Sequence, residues 1–478
     1  MVRVSPIRRV VLVRDDGIPL YRQIYEHFRT AIRLGQLRPG DRLPSVRRLA
    51  QGFATARGTV DAAYAMLAGE GYVVARGPAG TIVSPELGGP AIAAPATRRR
   101  PPDRVEPYAI IGPRPFQMGL PSLDMFPRKI WSRVVARQAR EFSAGEMAYP
   151  DPAGFPPLRE AVAAYLATSR GITCTWRQVL ITNGYQGALD LIAQMLVNRN
   201  DKVWLEDPCY PLTRIALEAT GGKLVPIRVD TEGIRVADGV AQAPRARLAV
   251  VTPSHQSPLG VALSLPRRLA LLSWAGDTGA FVVEDDYDSE FRYVGRPLPA
   301  LKSIDRNDRV LYAGSFSKVL FPSLRLGYLV LPEDLVAACT RANLRRGFGA
   351  STLAQRVVAA FLVEGHFARH VKRMRDLYAA RRKALGAALS AVFDECIEVE
   401  LKPGGMHLIV RCSNGADDIR LAKLAQAAGL AVEPLSTRAV AHPCGRALLL
   451  GFTNVDETEA MNLCRRLEGA IGKQLAAR

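Results

Sequence analysis

The chain has 478 residues, a net charge of +19 and 7 cysteines. That length accommodates two or three domains around a large core, and no apolar run approaches the roughly 18 residues of a membrane span. The cysteines are odd in number and form no C-x-x-C pair, which argues against a disulfide framework or a zinc site; with no secretory h-region at the start, a cytoplasmic protein without a bound metal is expected.

The charge is uneven. Residues 1–105 hold 17 Arg, no Lys and 8 acidic residues, so about half of the net charge lies in under a quarter of the length. A basic N-terminus suits a polyanionic partner, most simply double-stranded DNA.

In chain order, Pro19 to Ile32 reads as a helix with Leu20, Ile24 and Phe28 on one face. Gly35 and Pro39-Gly40 end it. Ser45 is placed to cap a short helix, Val46–Gln51, and Thr55 to cap a second, in which Val60, Ala63, Tyr64 and Leu67 recur at helical spacing. Two short helices joined tightly are a helix-turn-helix. Glu70 to Val83 alternates with turn residues and reads as a β-hairpin.

The strings L-Y-R-Q-I, G-x-L-x-P-G-D-R-L-P-S-x-R-x-L-A and R-x-T-V-x-x-A-Y-x-x-L, followed by a Gly-Thr wing, resemble the GntR-type winged helix. The resemblance implies a DNA-binding domain over 15–84. Its second helix would enter the major groove with Arg57 and Thr59 exposed toward base edges. Arg42, Ser45 and Arg47 would meet phosphate or base edges, and Gly80 and Thr81 at the wing tip would approach the backbone. Residues 85–111, rich in Pro, Ala, Gly and Arg, read as a linker; Arg98-Arg-Arg100 either touch DNA or keep that linker extended.

A larger domain is expected over 112–478, with a smaller lobe from about 345. Leu158–Arg170 reads as a helix, Val179–Thr182 as a strand, Asn183–Gly187 as a turn and Ala188–Val197 as a helix. A glycine-containing turn before a helix offers unpaired N–H groups to a phosphate, so Gly184, Tyr185 and Gln186 are assigned to such a cradle. Val203–Glu206, Leu248–Thr252, Ala280–Glu284, Val310–Ala313 and Leu326–Leu331 are apolar strands. Leu353–Val363 and Phe367–Ala388 look helical. Ile397–Leu401, Gly405–Val410 and Leu448–Phe452 read as strands of the smaller lobe.

Between the strands ending at Ala313 and starting at Leu326 lies Gly314-Ser-Phe-Ser-Lys-Val-Leu-Phe-Pro-Ser-Leu-Arg325. Lys318 sits among the hydroxyls of Ser315 and Ser317, with Arg325 seven residues on. A buried amine becomes a nucleophile toward an aldehyde, and hydroxyls with a guanidinium suit a phosphate carried by that aldehyde. The pattern points to a Schiff base between Lys318 and pyridoxal 5'-phosphate.

This stretch resembles the cofactor-lysine motif of class I aminotransferases, and the whole chain is similar to the MocR family, in which a GntR-type winged helix is fused to an aminotransferase-like domain. The implied fold class is α/β: a winged helix-turn-helix, then a fold type I large domain with a mostly parallel sheet and a smaller α+β lobe. The implied site places Tyr210 on the pyridine ring, Asp285 at its nitrogen, and Tyr287 and Ser257 at its hydroxyl. Asp286, Asp288 and Glu290 are read as structural or solvent-facing, His255 as structural and Cys209 as packing. Two departures stand out. Ser257 occupies the position of an aminotransferase Asn, and Leu449 the position of the arginine that grips a substrate carboxylate; Arg438 and Arg446 are the nearby candidates to replace it. The resemblance implies a homodimeric regulator that senses an amine, an amino acid or a B6 vitamer through Lys318 and reads an operator with repeated half-sites. A working aminotransferase with an accessory DNA module is the alternative.

Overall fold

The computed structural model describes residues 12, 18–77, 80–88, 112–295, 298–347, 349–413 and 415–476. The chain divides into two compact units, Met1–Ala109 and Ile110–Arg478. Most of the expected linker, Arg98-Arg-Arg100 included, lies outside the described residues.

In the first unit, α1 (Leu20–Arg33) packs Ile24, Tyr25, Phe28 and Ala31 against Val60, Ala63, Tyr64 and Leu67 of α3 (Arg57–Gly69). Burying such side chains is worth roughly 1.5–3 kcal/mol each. Between them, α2 (Val46–Gly52) is capped by Ser45, whose hydroxyl accepts from the Arg48 N–H at 3.3 Å. The expected Thr55 cap is not seen: α3 starts after Ala56, with no side-chain cap bond. The turn explains this, because Ala54 takes a left-handed φ of 48° and the Thr55 N–H is used on Ala50 O. The strands β1 (Val73–Ala75) and β2 (Thr81–Val83) pair antiparallel as the wing.

The second unit is built on an eight-stranded sheet. Its strands are β3 (Val179–Thr182), β4 (Lys202–Asp207), β5 (Lys223–Asp230), β6 (Gly233–Ile234), β7 (Leu248–Val251), β8 (Phe281–Asp286), β9 (Val310–Ser315) and β10 (Gly327–Val330). The spatial order is β3-β10-β9-β8-β7-β4-β5-β6. From β5 to β9 the pairing is parallel; β10 runs antiparallel to both neighbours. Apart from β5 and β6, these strands read as apolar runs because both faces are covered, for example by α5 (Pro156–Arg170), α6 (Gly184–Leu196) and α9 (Leu265–Thr278).

The smaller lobe carries four antiparallel strands, β11 (Ile397–Glu400), β12 (His407–Cys412), β13 (Glu433–Pro434) and β14 (Leu448–Gly451), in the order β11-β12-β14-β13. The long α12 (His366–Phe393) and the terminal α14 (Ala460–Ala476) pack against each other beside it. Asp207, at the end of β4, locks the lobe to the large sheet. Its carboxylate accepts from the backbone N–H groups of Val440, Ala441 and His442 at 2.7, 2.8 and 2.6 Å. No helix among the described residues is long and apolar enough to cross a membrane, and no His, Cys, Asp and Glu cluster among them has metal-site geometry.

Candidate functional site

Parallel strands place ligands beyond their carboxyl ends. Here β4, β8 and β9 end at Asp207, Asp286 and Ser315, and the loop after β7 carries Ser257. One cavity of about 360 Å³ opens there. Lys318, Ser315, Ser317 and Arg325 line it from the loop after β9; Tyr185 and Gln186 from α6; Tyr210, Ser257, Asp285 and Tyr287 from the remaining strand ends. Gly184 lies beside it, close to the Arg325 guanidinium.

The Lys318 amine donates to Gly119 O at 2.8 Å. Burial pushes its pKa below the usual lysine value, against the opposite pull of Asp288, Asp285 and Glu433. A Cβ at Gly119 would stand 2.3 Å from that nitrogen, so a side chain there would displace the amine from this position. Arg325 takes a left-handed φ of 49°, turning its guanidinium toward the start of α6.

The expected turn Asn183–Gly187 is instead the first turn of α6, which begins at Gly184. Gly184, at φ 69°, allows the strand to enter the helix directly. Asn183 provides no side-chain cap, so the first N–H groups of α6 have no capping oxygen. Beside them the Gln186 Nε2 is buried without a hydrogen-bond partner. Unpaired donors at a helix N-terminus, two serines and an arginine are a donor set for a phosphate dianion.

Asp285 is buried at the end of β8, and burial holds its pKa well above the usual carboxylate range. Tyr185, which also bonds Thr213 at 3.1 Å, reaches its carboxyl. Such a carboxyl is completed by a cationic N–H, as a protonated ring nitrogen provides. These groups therefore fit pyridoxal phosphate by the chemistry of their donors.

Sequence reading did not place several residues of this cavity: Met118, Gly119, Met406, His407 and Glu433 also line it. Glu433 forms an ion pair with Arg438, which lines the cavity too. Arg446 points elsewhere, donating to Gly415 O at 3.0 Å, and Leu449 is fully buried in β14. Cys209 lies at the wall with its thiol pushed up to about 12 by burial, as expected of a packing residue. Asp286 and Asp288 are not solvent-facing: Asp286 pairs with the buried Arg170 at 2.7 Å and Asp288 contacts His255.

Beneath the cavity, Glu206 accepts from the Thr252 hydroxyl and the Gln256 amide. Burial pushes it up to about 7. The folded state thus holds its proton longer than the unfolded chain, and this stabilising contribution is lost as pH rises from about 4.5 to 7. Glu206→Gln should remove that loss, on the order of 3 kcal/mol. Urea unfolding of both proteins at pH 5 and pH 8 checks it; parallel pH profiles would contradict it.

In the first unit, Arg57 is exposed at the start of α3, whereas Thr59 is half-buried within the same first turn. Arg47 and Ser45 are exposed at the start of α2. The Arg42 guanidinium packs along the wing against Gly80, at the Cβ position of which its Nε would be 3.0 Å away. Thr81 is half-buried and its carbonyl accepts from Leu43 N.

The second unit is an aminotransferase fold joined to a winged helix. Residues 127–467 match the family model "Aminotransferase class I and II", and residues 20–83 match "Bacterial regulatory proteins, gntR family". The chain is 37% identical to the probable rhizopine catabolism regulatory protein MocR of Rhizobium meliloti, over 94% of this chain and 92% of that protein. It is 35% identical to the HTH-type transcriptional regulator TauR of Rhodobacter capsulatus, over 90% and 91% of the two chains. Among solved structures it resembles the α-aminoadipate aminotransferase LysN of Thermus thermophilus, complexed with N-(5'-phosphopyridoxyl)-L-leucine, with TM-score 0.69, 29% identity and coverage of 76% of this chain and 93% of that one. The protein belongs to the MocR-like HTH-type transcriptional regulators, which pair a GntR helix-turn-helix with an aminotransferase class I/II domain. The helix-turn-helix implies DNA binding, and the aminotransferase fold family characteristically binds pyridoxal phosphate and is typically dimeric.

Proposed function

We propose that this chain is a transcription regulator whose second unit holds pyridoxal phosphate on Lys318 and senses an amine, an amino acid or the free vitamer there. The observation that carries the reading is one cavity holding a lysine of lowered pKa, a buried Asp285 that forms no salt bridge among the described residues, and a Gln186 Nε2 without a hydrogen-bond partner there. When bound, the cofactor supplies an electrophilic carbon and an electron-withdrawing ring. Lys318 links to it. Ser315, Ser317, Arg325 and the start of α6 hold its phosphate, and Asp285 keeps its ring nitrogen protonated. Tyr210 covers the ring face, while Tyr287 and Ser257 face its hydroxyl. Arg438, with its partner Glu433, stands at the effector end of the cavity in the role that Leu449 cannot fill.

The DNA face comprises Arg42, Ser45, Arg47, Arg57, Thr59, Gly80 and Thr81, and a homodimer presents two such faces to repeated half-sites. An effector shifts DNA affinity by binding one arrangement of the protein better than another. The test is DNA binding by Arg57→Ala, measured by fluorescence anisotropy on a duplex selected by the full chain. A loss of about 1–3 kcal/mol is expected if Arg57 reads a base, and affinity of the unchanged protein should fall steeply with salt. Unchanged affinity with a flat salt response would contradict the assignment.

A further inference from the structure

Tyr287 and the next residue, Asp288, both meet His255, from the loop after β7. His255 Nδ1 lies 2.9 Å from the Tyr287 hydroxyl oxygen and 3.1 Å from Asp288 Oδ2. His255 and Asp288 are 7% and 2% exposed. One ring nitrogen therefore faces two oxygens. A bare nitrogen would set its lone pair against a carboxylate. A proton on Nδ1 satisfies the carboxylate, and the same N–H is shared with the Tyr287 oxygen, which must accept. A phenol that accepts on this side gives its own proton elsewhere. Ser257 is near enough to act on the same hydroxyl, and both Tyr287 and Ser257 line the 360 Å³ cavity.

The surroundings hold the ring in place. A Cβ at Gly405 would lie 2.1 Å from His255 Cε1, and one at Gly260 would lie 2.9 Å from Nε2, so these two glycines make the slot in which the imidazole fits. His407 faces it across 5.8 Å between ring centroids. That ring is kept neutral by burial, pushed down to about 4, and donates from Nε2 to Pro258 O. The far edge of His255 borders a second cavity, of about 190 Å³, shared with Arg170, Arg292 and Lys402. Arg170 is paired with Asp286 and Lys402 with Glu400, each at 2.7 Å. Burial, together with Asp288 and Asp285, keeps the Tyr287 phenol protonated by raising its pKa well above the usual value.

We propose that Asp288 and His255 are positioning residues that fix the direction of the Tyr287 O–H, aiming its proton into the cavity as a donor to the phenolic oxygen of pyridoxal phosphate. The proposal rests on the cofactor reading above. A donor there would draw electron density from the phenolic oxygen, which otherwise would help to hold a proton on the Lys318 nitrogen once that nitrogen is joined to the cofactor. The pH midpoint of the bound chromophore is therefore lower with the donor aimed than without it.

The experiment is a pH titration of the near-visible absorbance of the full chain loaded with pyridoxal phosphate. Tyr287→Phe should raise the midpoint. His255→Phe should raise it in the same direction, by roughly half a pH unit to one unit, the worth of one hydrogen bond; Asp288→Asn, which also removes a charge that favours the protonated Lys318 nitrogen, should give a midpoint below that of His255→Phe. His255→Asn, whose amide N–H can stand where Nδ1–H stood, should restore most of the shift. The double variant His255→Phe with Tyr287→Phe should move no further than Tyr287→Phe alone. An unmoved midpoint in His255→Phe, or a double variant whose shift is the sum of its parts, overturns the proposal. If His255→Phe does not fold, His255→Leu takes its place. Loading with an unmoved midpoint sinks only this inference; an unchanged protein that takes up no chromophore sinks the cofactor reading as well.

Discussion

Lys318→Ala protein, mixed with pyridoxal phosphate and treated with borohydride, should gain no mass, whereas the unchanged chain should gain one covalent adduct on that lysine. The effect is expected to be all or nothing, because no neighbouring amine is placed to take over. Lys318 is the one lysine lining the cavity among the described residues. Its amine is made reactive by burial, which disfavours the ammonium form. Adduct formation should accordingly quicken with rising pH and level off below the range of an ordinary lysine, since a lowered pKa frees the amine sooner. Mass spectrometry of the reduced protein reads both results, and an adduct retained in Lys318→Ala would contradict the assignment.

Asp285→Ala should weaken cofactor binding by about 3–5 kcal/mol, the range for deleting one partner of a buried ion pair. Asp285 is surrounded by Asp286, Asp288 and Glu206, which all push its pKa further up after burial itself. A bound ring N–H⁺ supplies the missing positive charge. The sign with pH follows. Binding needs the ionised carboxylate, so affinity should be full above the raised pKa and fall as pH drops through it, well above the usual carboxylate range. Asp285→Asn should lose that pH dependence along with most of the affinity. It should also raise the unfolding temperature of the free protein, because an uncompensated buried acid is gone. Fluorescence titration with pyridoxal phosphate at several pH values, with thermal unfolding alongside, checks both; tight, pH-dependent binding by Asp285→Asn would refute the role.

Much of this site was legible because its parts are local. The run from Ser315 to Arg325 lies between two apolar strands, and Asp285 directly follows a strand that reads as buried. What escaped were groups brought together over long stretches of chain. Glu433 lies on a two-residue strand, and the Arg438 carbonyl accepts from Cys209 N, next to the clamp that Asp207 makes on residues 440–442. No local pattern announces such a contact. The contact of His255 with Tyr287 is likewise a meeting of two loops, and the bland structural reading of His255 followed from seeing only one of them.

Errors in the elements have similarly specific causes. A run of Gly-Tyr-Gln-Gly reads as a turn, yet only Gly184 needs a positive φ; Gly187 sits within α6, so the helix starts four residues earlier than its apolar pattern suggests. β5 is disguised by Pro226 in its middle and charged residues at its ends, though it pairs with β4 along six residues. Thr55 looks like a cap in sequence, but the left-handed Ala54 draws it into the turn.

The central claim is that chemistry at Lys318 governs the grip on DNA. It is tested most directly by measuring the affinity of the full chain for a duplex that it selects, with and without pyridoxal phosphate, in parallel with Lys318→Ala. The account predicts that loading changes the affinity of the unchanged protein several-fold, as coupling of about 1–3 kcal/mol gives, and leaves that of Lys318→Ala where it was. Equal affinities for loaded and free unchanged protein, or the same shift in Lys318→Ala, would contradict it.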